Sequence, residues 1–276
     1  MFKVVPFRTP LKFPGTSPGF DPSHPMSRNI QIMPLVYPGS GTSAGATVID
    51  CVTGQAATKK GNGGASGFDS SIGPFSKGPD AANYMQYLQS AFPNLNPRGS
   101  APNPVTLGSI FRITSLGSGD VINVGSGTTG WRWDFSVSGF ALVSNNVVNT
   151  GNSFGSVIAA NVPYFIVTSA NATKVNTVLC NLATGQIYTD TKTTAGNTAV
   201  ILASTDNFQF GGGSANTIQT SCSMMANAFH GMSDLLAFAA DPWSFWYAPV
   251  LEQMINIVLP RADLGPSSIT AGAMCT

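Results

Sequence analysis

Charge is what this chain has least of. Asp, Glu, Lys and Arg make up 9% of its 276 residues, against about a quarter in an average soluble domain. The formal net charge is +1. Binding a polyanion needs clustered lysine and arginine, so no nucleic-acid partner is expected. Glutamate is nearly absent, Glu252 being the single one. Cysteine is sparse: Cys51, Cys180, Cys222 and Cys275 lie far apart with no CxxC spacing. That spacing argues against a zinc site and a small disulfide scaffold, and predicts buried free thiols formed in a reducing cytoplasm. No apolar run approaches the ~20 residues of a membrane span. The opening MFKVVPFRTPLKFPG is broken by prolines, unlike the continuous apolar core of a signal peptide, so neither a membrane nor secretion is expected.

Hydrophobic residues, at 43%, are enough for a sizeable core, and solubility falls to Asn, Ser, Thr and Gly. A surface poor in charge repels its neighbours weakly and suits lasting burial against them. Residues 1–27 form a Pro/Phe-rich arm. Pro6, Pro10, Pro14, Pro18 and Pro22 recur every four residues, which rules out a helix or a central strand but allows an extended ribbon. Phe2, Phe7, Phe13 and Phe20 gain from the arm only if something buries them, so they are the candidate assembly contacts.

From NIQIMPLVYP onward, short runs rich in Val, Ile, Thr, Phe and Tyr alternate with Gly, Asn and Ser turns. Such punctuation reads as an antiparallel sandwich or jelly roll over 28–249. Residues 54–104 interrupt the pattern and are expected as an insertion or contact loop. Within them, Asp80 to Phe92 carries Tyr84, Tyr87, Leu88 and Phe92 at helical spacing and is predicted as a short helix. Residues 250–276 form a C-terminal extension. Near the end, GMSDLLAFAADPWSFWYAP predicts a helix over 233–241. Ser233 caps it, Leu235, Phe238 and Ala239 share a face, and Pro242 stops it. Trp243, Phe245 and Trp246 are large enough to seal an open sandwich edge.

Several segments together resemble a known family. They are His24-Pro25, then Gly39-Ser40-Gly41-Thr42 and Asp50; the paired strands of VPYFIVTSANATKVNTVLCNLATGQIYTDT, with turns at Ala170 to Lys174 and at Thr184-Gly185; FQFGGGS; and the tail MMANAFHGMSDLLAFAADPWSFW. This order is similar to that of laminin-G-like members of the concanavalin A-like lectin/glucanase jelly rolls, of the kind found in tailed-bacteriophage structural proteins. The tail, with Asn227, Asp234, Leu235, Phe238 and Asp241-Pro242-Trp243, is the most specific part. The resemblance implies an all-β jelly-roll sandwich whose last strand pairs with an N-terminal one and whose short helix covers one sheet end.

That fold also hosts glucanases, but glycoside hydrolysis needs two carboxylates at a set separation. With one glutamate, the closest pair is Asp120 and Asp134, on different predicted segments. His24 and His230 have no G-x-S-x-G elbow beside them. Gly211 to Ser214 lacks the lysine of a phosphate loop. No D-x-D cluster suggests calcium, although Asp120 and Asn145 to Asn152 could supply oxygens. The expectation is therefore no enzyme, no cofactor and no metal. The first functional reading is a structural protein of a virus particle, made in the host cytoplasm. It would be a capsid decoration or head-surface protein of a tailed bacteriophage, with the major capsid protein, other virion proteins and copies of itself as partners. The alternative is a carbohydrate-binding adhesin or fibre protein for host-surface glycans, with Trp131, Tyr84 and Tyr87 as candidate glycan contacts, since sugars stack on aromatic faces.

Overall fold

The computed structural model describes residues 24–27, 29–34, 47–50, 52–59, 66–78, 85–88, 92, 104–114, 119–126, 129–136, 139–144, 147–150, 154–171, 173–193, 207–210 and 218–245. The strands run β1 Ile30–Ile32, β2 Thr47–Ile49, β3 Ala56–Lys59, β4 Ser66–Asp69, β5 Gly73–Gly78, β6 Met85–Leu88, β7 Val105–Ile113 and β8 Gly119–Ser126. They continue with β9 Thr129–Ser136, β10 Gly139–Ser144, β11 Val147–Thr150, β12 Pro163–Ala170, β13 Lys174–Asn181, β14 Gln186–Thr193, β15 Asn207–Phe210 and β16 Ile218–Ala226. Among the described residues one α-helix, α1, spans Met232–Ala240. The strands form two sheets. The first has the order β14-β13-β12-β7-β16-β5-β4, with β1 also on β16; the second is β11-β10-β9-β8-β15-β6-β3-β2. All their pairings are antiparallel. The protein is thus an all-β sandwich with a short C-terminal helix, and its last strand pairs with its N-terminal one, Ile30 opposite Ala226.

Alternation places residues i and i+2 on one face of a strand. Leu107, Phe111 and Ile113 of β7, Tyr164 and Ile166 of β12 and Val175 and Leu179 of β13 point to the second sheet. There they meet Val48, Ala57, Tyr87, Val121, Phe208 and Phe210. The intervening Ile110, Phe165, Val167, Val178 and Cys180 form a second cluster with Leu235, Phe238, Ala239, Trp243 and Phe245. The first sheet is therefore buried on both faces, which is why β12 and β16 are buried along their whole length. On β16 a bulge between Ser221 and Met224, with Cys222 at φ 46°, shifts the alternation, so that Met224 faces the outer cluster although Ile218, six residues earlier, faces the inner one.

Three expectations are corrected here. Residues 54–104 are not simply an insertion: they supply β3 and β6 to the second sheet and β4 and β5 to the first. Within the expected helix over 80–92, Met85–Leu88 is a strand held between β15 and β3. Tyr84, Tyr87 and Leu88 have helical spacing, but a four-residue strand shows too few alternations to compete with that pattern, and pairing on both sides decides the outcome. Trp243 and Phe245 do not seal a sandwich edge, and Trp246 lies outside the described residues. Trp243 and Phe245 lie in the cluster over the outer face of the first sheet, where α1 packs on β12 and β13.

Turn chemistry is local and legible. At the β12–β13 turn, Asn171 Oδ1 accepts the amides of Thr173 and Lys174 at 3.0 and 2.9 Å. At the β13–β14 turn, Asn181 Oδ1 accepts those of Ala183 and Thr184 at 3.0 and 3.2 Å. Gly185 there has φ 71°, a conformation glycine adopts without strain.

The β4–β5 hairpin is tied down by Asp69, which pairs with Arg112 of β7 at 2.7 Å and accepts from Ser71 N at 2.8 Å and from Ser71 Oγ. Arg112 also donates to Gln219 Oε1 of β16 at 2.8 Å. Burial alone would raise the Asp69 pKa, but the Ser71 hydrogen bonds and Arg112 outweigh it and hold the carboxyl below 3.8. Stability from this group is present above the unfolded value and is lost as pH falls through the lower, folded one. Asp69→Asn is therefore expected to flatten the acid limb of a stability-versus-pH curve below about pH 4. An unchanged limb would show that the bridge contributes nothing.

Cys180 and Cys222 are buried, whereas Cys51 and Cys275 lie outside the described residues. Burial pushes the Cys180 thiol up to about 12, and the thiolate is the reactive form. Maleimide labelling of the native protein near neutral pH is expected to spare Cys180 and to modify it only in denaturant, as mapped by mass spectrometry.

Candidate functional site

The segment between β16 and α1 is fixed by a polar row on the outer face of the first sheet. Thr106, Ser169, Asn176 and Thr191 are successive register partners across β7, β12, β13 and β14. The hydroxyls of Thr106 and Ser169 are 2.9 Å apart; the first reaches Ala228 O at 2.8 Å and the second receives His230 N–H at 2.7 Å. Asn176 Nδ2 donates to His230 O at 3.5 Å, and Thr191 Oγ1 donates to Asn176 Oδ1 at 3.1 Å. A backbone strap lying on a sheet face would otherwise bury unpaired polar groups, each costing about 1–3 kcal/mol. The row supplies those partners and thereby holds residues 228–230 in one position.

The start of α1 follows from that position. Gly231 is the N-cap, not Ser233 as the sequence suggested. Its carbonyl accepts from the amides of Asp234 and Leu235, both at 3.1 Å, while its own N–H donates to Asp234 Oδ2 at 3.2 Å. A glycine cap has no side chain to offer, so Asp234 alone supplies the side-chain half of a capping box. At the other end of the described chain, Pro25–Ser27 is a 3₁₀ turn. His24 lies 5.3 Å from the rings of both Phe238 and Phe245, and its Nε2 is 3.4 Å from Ser244 Oγ. The His-Pro dipeptide and the Asp-Pro-Trp tail, far apart in sequence, thus meet on one face.

Beside this junction a cleft of about 390 Å³ opens, lined by Pro25, Asn29, Pro104, Asn227, Ala228, Phe229, His230 and Asp234. Asn29, at φ 57°, accepts the Asn227 amide through its carbonyl at 2.9 Å, which sets one wall. Asn227 is only partly buried, yet its Oδ1 is enclosed with no hydrogen-bond partner among the described residues. Phe229 is partly exposed and Asp234 is exposed. Amide and carboxylate groups lining a hollow beside an aromatic ring can bind hydroxyl and amide groups. Among the described residues, no group of three or more His, Cys, Asp or Glu gathers to hold a metal ion, and no helix is long and apolar enough to cross a membrane.

The residues singled out from sequence fall elsewhere. Tyr87, a candidate glycan contact, is 1% exposed and packs edge-on against Phe92 and Phe210 in the core. It is corrected to a core residue, because β6 turns that side chain toward the first sheet. Trp131 lies on β9, in register with Val124 and Ser144. Tyr84, Phe2, Phe7, Phe13 and Phe20 lie outside the described residues. Asp120 and Asp134 are register partners on β8 and β9. Asp50 is a buried structural hub: its carboxylate accepts from the Met33 amide, from Val52 N at 3.0 Å, and from Thr53 N and Oγ1 at 2.7 and 2.8 Å. The sequence does not point to the cleft; of its lining residues, Asn227, His230 and Asp234 belong to the distinctive tail segment. The signal lay in NAFHG, a polar and aromatic stretch without strand alternation directly after a strand.

The fold and site define a class: an antiparallel β sandwich whose helix-covered face carries a small polar cleft. No protein-family model matches the chain, and no curated protein matches it significantly. Among solved structures it is similar to the receptor binding domain of botulinum neurotoxin C/D mosaic serotype, with TM-score 0.52 and 8% identity over 76% of this chain and 51% of that one. The binding domain of botulinum neurotoxin DC in complex with SialylT aligns over the same shares at TM-score 0.51 and 11% identity. The serotype C1 binding domain does so at 0.50 and 11%. The chain spans about half the length of these structures, and at such identities the likeness is one of fold. The full-length tailspike protein 2 from Escherichia coli O157:H7 bacteriophage CAB120 overlaps 61% of the chain, but its TM-score of 0.43 carries no assignment.

Proposed function

We propose that this protein is a non-enzymatic, glycan-binding recognition module and that the cleft beside α1 is its binding site. The observation that carries this reading is the cleft's lining: Asn29, Asn227 and Asp234 bring amide and carboxylate side chains beside the partly exposed Phe229. Sugars are bound in this way, by amide and carboxylate groups on their hydroxyls and an aromatic ring on their apolar face. The cleft volume falls in the range of small-ligand pockets. Two facts add support. The similar neurotoxin structures are described as receptor binding domains, one of them in complex with SialylT, and the tail and His-Pro segments resemble lectin-type jelly rolls. Binding to an immobilised glycan panel tests the reading. Asn227→Ala is expected to weaken retained glycans by about tenfold, the effect of losing one or two good hydrogen bonds, with the melting curve little changed. If no glycan binds, the reading fails.

A second reading, a structural component of a virus particle such as a capsid decoration, has one structural observation in its favour. Ile49 and Leu88 are 45% and 60% exposed on β2 and β6, which flank β3 in the second sheet. Together with the low charge, exposed apolar residues of this kind suit contact with neighbouring subunits. The discriminating measurement is the occupancy of purified particles by protein lacking residues 1–23. Normal incorporation would remove the arm as an anchor and favour the recognition reading, with attachment elsewhere.

A further inference from the structure

We infer that the cleft selects uncharged glycans over acidic ones and that Asp234 is the residue that sets this selectivity; the inference rests on the glycan-binding reading above. The N-terminus of a helix ordinarily attracts anions, because its first amides are unpaired and its dipole is positive there. Here that position is already taken by the chain's own carboxylate. Asp234 Oδ2 receives the Gly231 amide at 3.2 Å, which holds the side chain over the first turn and against the cleft wall. Its second oxygen, Oδ1, has no hydrogen-bond partner among the described residues, and the residue is exposed.

An ionised carboxylate can only accept hydrogen bonds. It therefore favours groups that donate, such as sugar hydroxyls and the N–H of an acetamido group. A carboxylate or sulfate on the ligand would have to sit beside a fixed negative charge. Among the described residues that line the cleft there is no lysine or arginine to offset it. Like charges held within a few ångströms in a partly enclosed site repel by enough to change binding about tenfold, and the repulsion weakens with salt.

The test measures binding of paired oligosaccharides with one core, neutral in one member and sialylated or sulfated in the other, to the full-length protein and to Asp234→Asn. Asparagine keeps an oxygen for the Gly231 amide, so the helix start is retained while the charge is lost. The wild-type protein is expected to bind the neutral member at least about tenfold more tightly. Asp234→Asn should bring the ratio close to one, and high salt should narrow it in the wild type only. Equal or tighter binding of the acidic member by the wild type, or a ratio unmoved by Asp234→Asn, overturns the inference while leaving the glycan site in place. Absence of binding to both members removes the glycan-binding reading and this inference with it.

Discussion

Phe238→Ala should be the most damaging single truncation in the helix-covered face, with a loss of about 3–5 kcal/mol. Phe238 is 1% exposed. Its ring lies 4.8 Å from Phe165 on β12, 5.4 Å from Phe245 and 5.3 Å from His24. It is thus the one side chain of α1 whose ring meets the sheet, the chain after the helix and the N-terminal turn at once. Removing the ring leaves a cavity that a nine-residue helix, strapped at its start by the polar row, cannot shift to fill. Such a loss lowers the thermal midpoint of a chain this size by roughly 10 °C. Leu236→Ala, on a partly buried position of the same helix, should cost much less. The comparison of the two melts checks the claim. Equal effects would mean that helix propensity, not the aromatic cluster, governs the face.

Asp50→Ala is expected to cost about 3 kcal/mol for a different reason. The cost here is orphaned donors. Four groups donate to this one carboxylate, and it is fully buried. It links the chain just after β1, through the Met33 amide and the Pro34–Asp50 bridge, to the β2–β3 turn. Since β1 belongs to the first sheet and β2 to the second, the hub joins the two sheets at one end. Asp50→Asn should restore little, because its amide would turn two hydrogens toward one set of donors. Urea denaturation of Asp50→Ala, Asp50→Asn and Thr53→Ala checks this. Thr53→Ala removes only the hydroxyl contact and should cost about 1 kcal/mol. Burial holds the Asp50 pKa above 3.8 despite the donors, so its own titration favours the folded state at low pH and that share is lost as pH rises through the folded pKa.

What the sequence determined by itself is whatever depends on near neighbours. Short runs rich in Val, Ile, Thr, Phe and Tyr, bounded by turn residues, specified strands such as Pro163–Ala170. Asn171 and Asn181 specified their turns, and Leu235, Phe238 and Ala239 specified the buried face of α1. Each follows from contacts within a few residues. The tertiary structure decided the rest. Met85–Leu88 is a strand because β15 and β3 pair with it on both sides, whereas its own residues carry a helical pattern. Gly231 caps α1 because Thr106 and Ser169, over 60 residues and more distant in sequence, hold the strap that precedes it. The cleft needs Pro25, Pro104 and Asn227 in one place, and Tyr87 faces the core because β6 lies inside a sheet. No local pattern encodes which strands become neighbours; register and layer packing bring those residues together only when the whole sandwich forms.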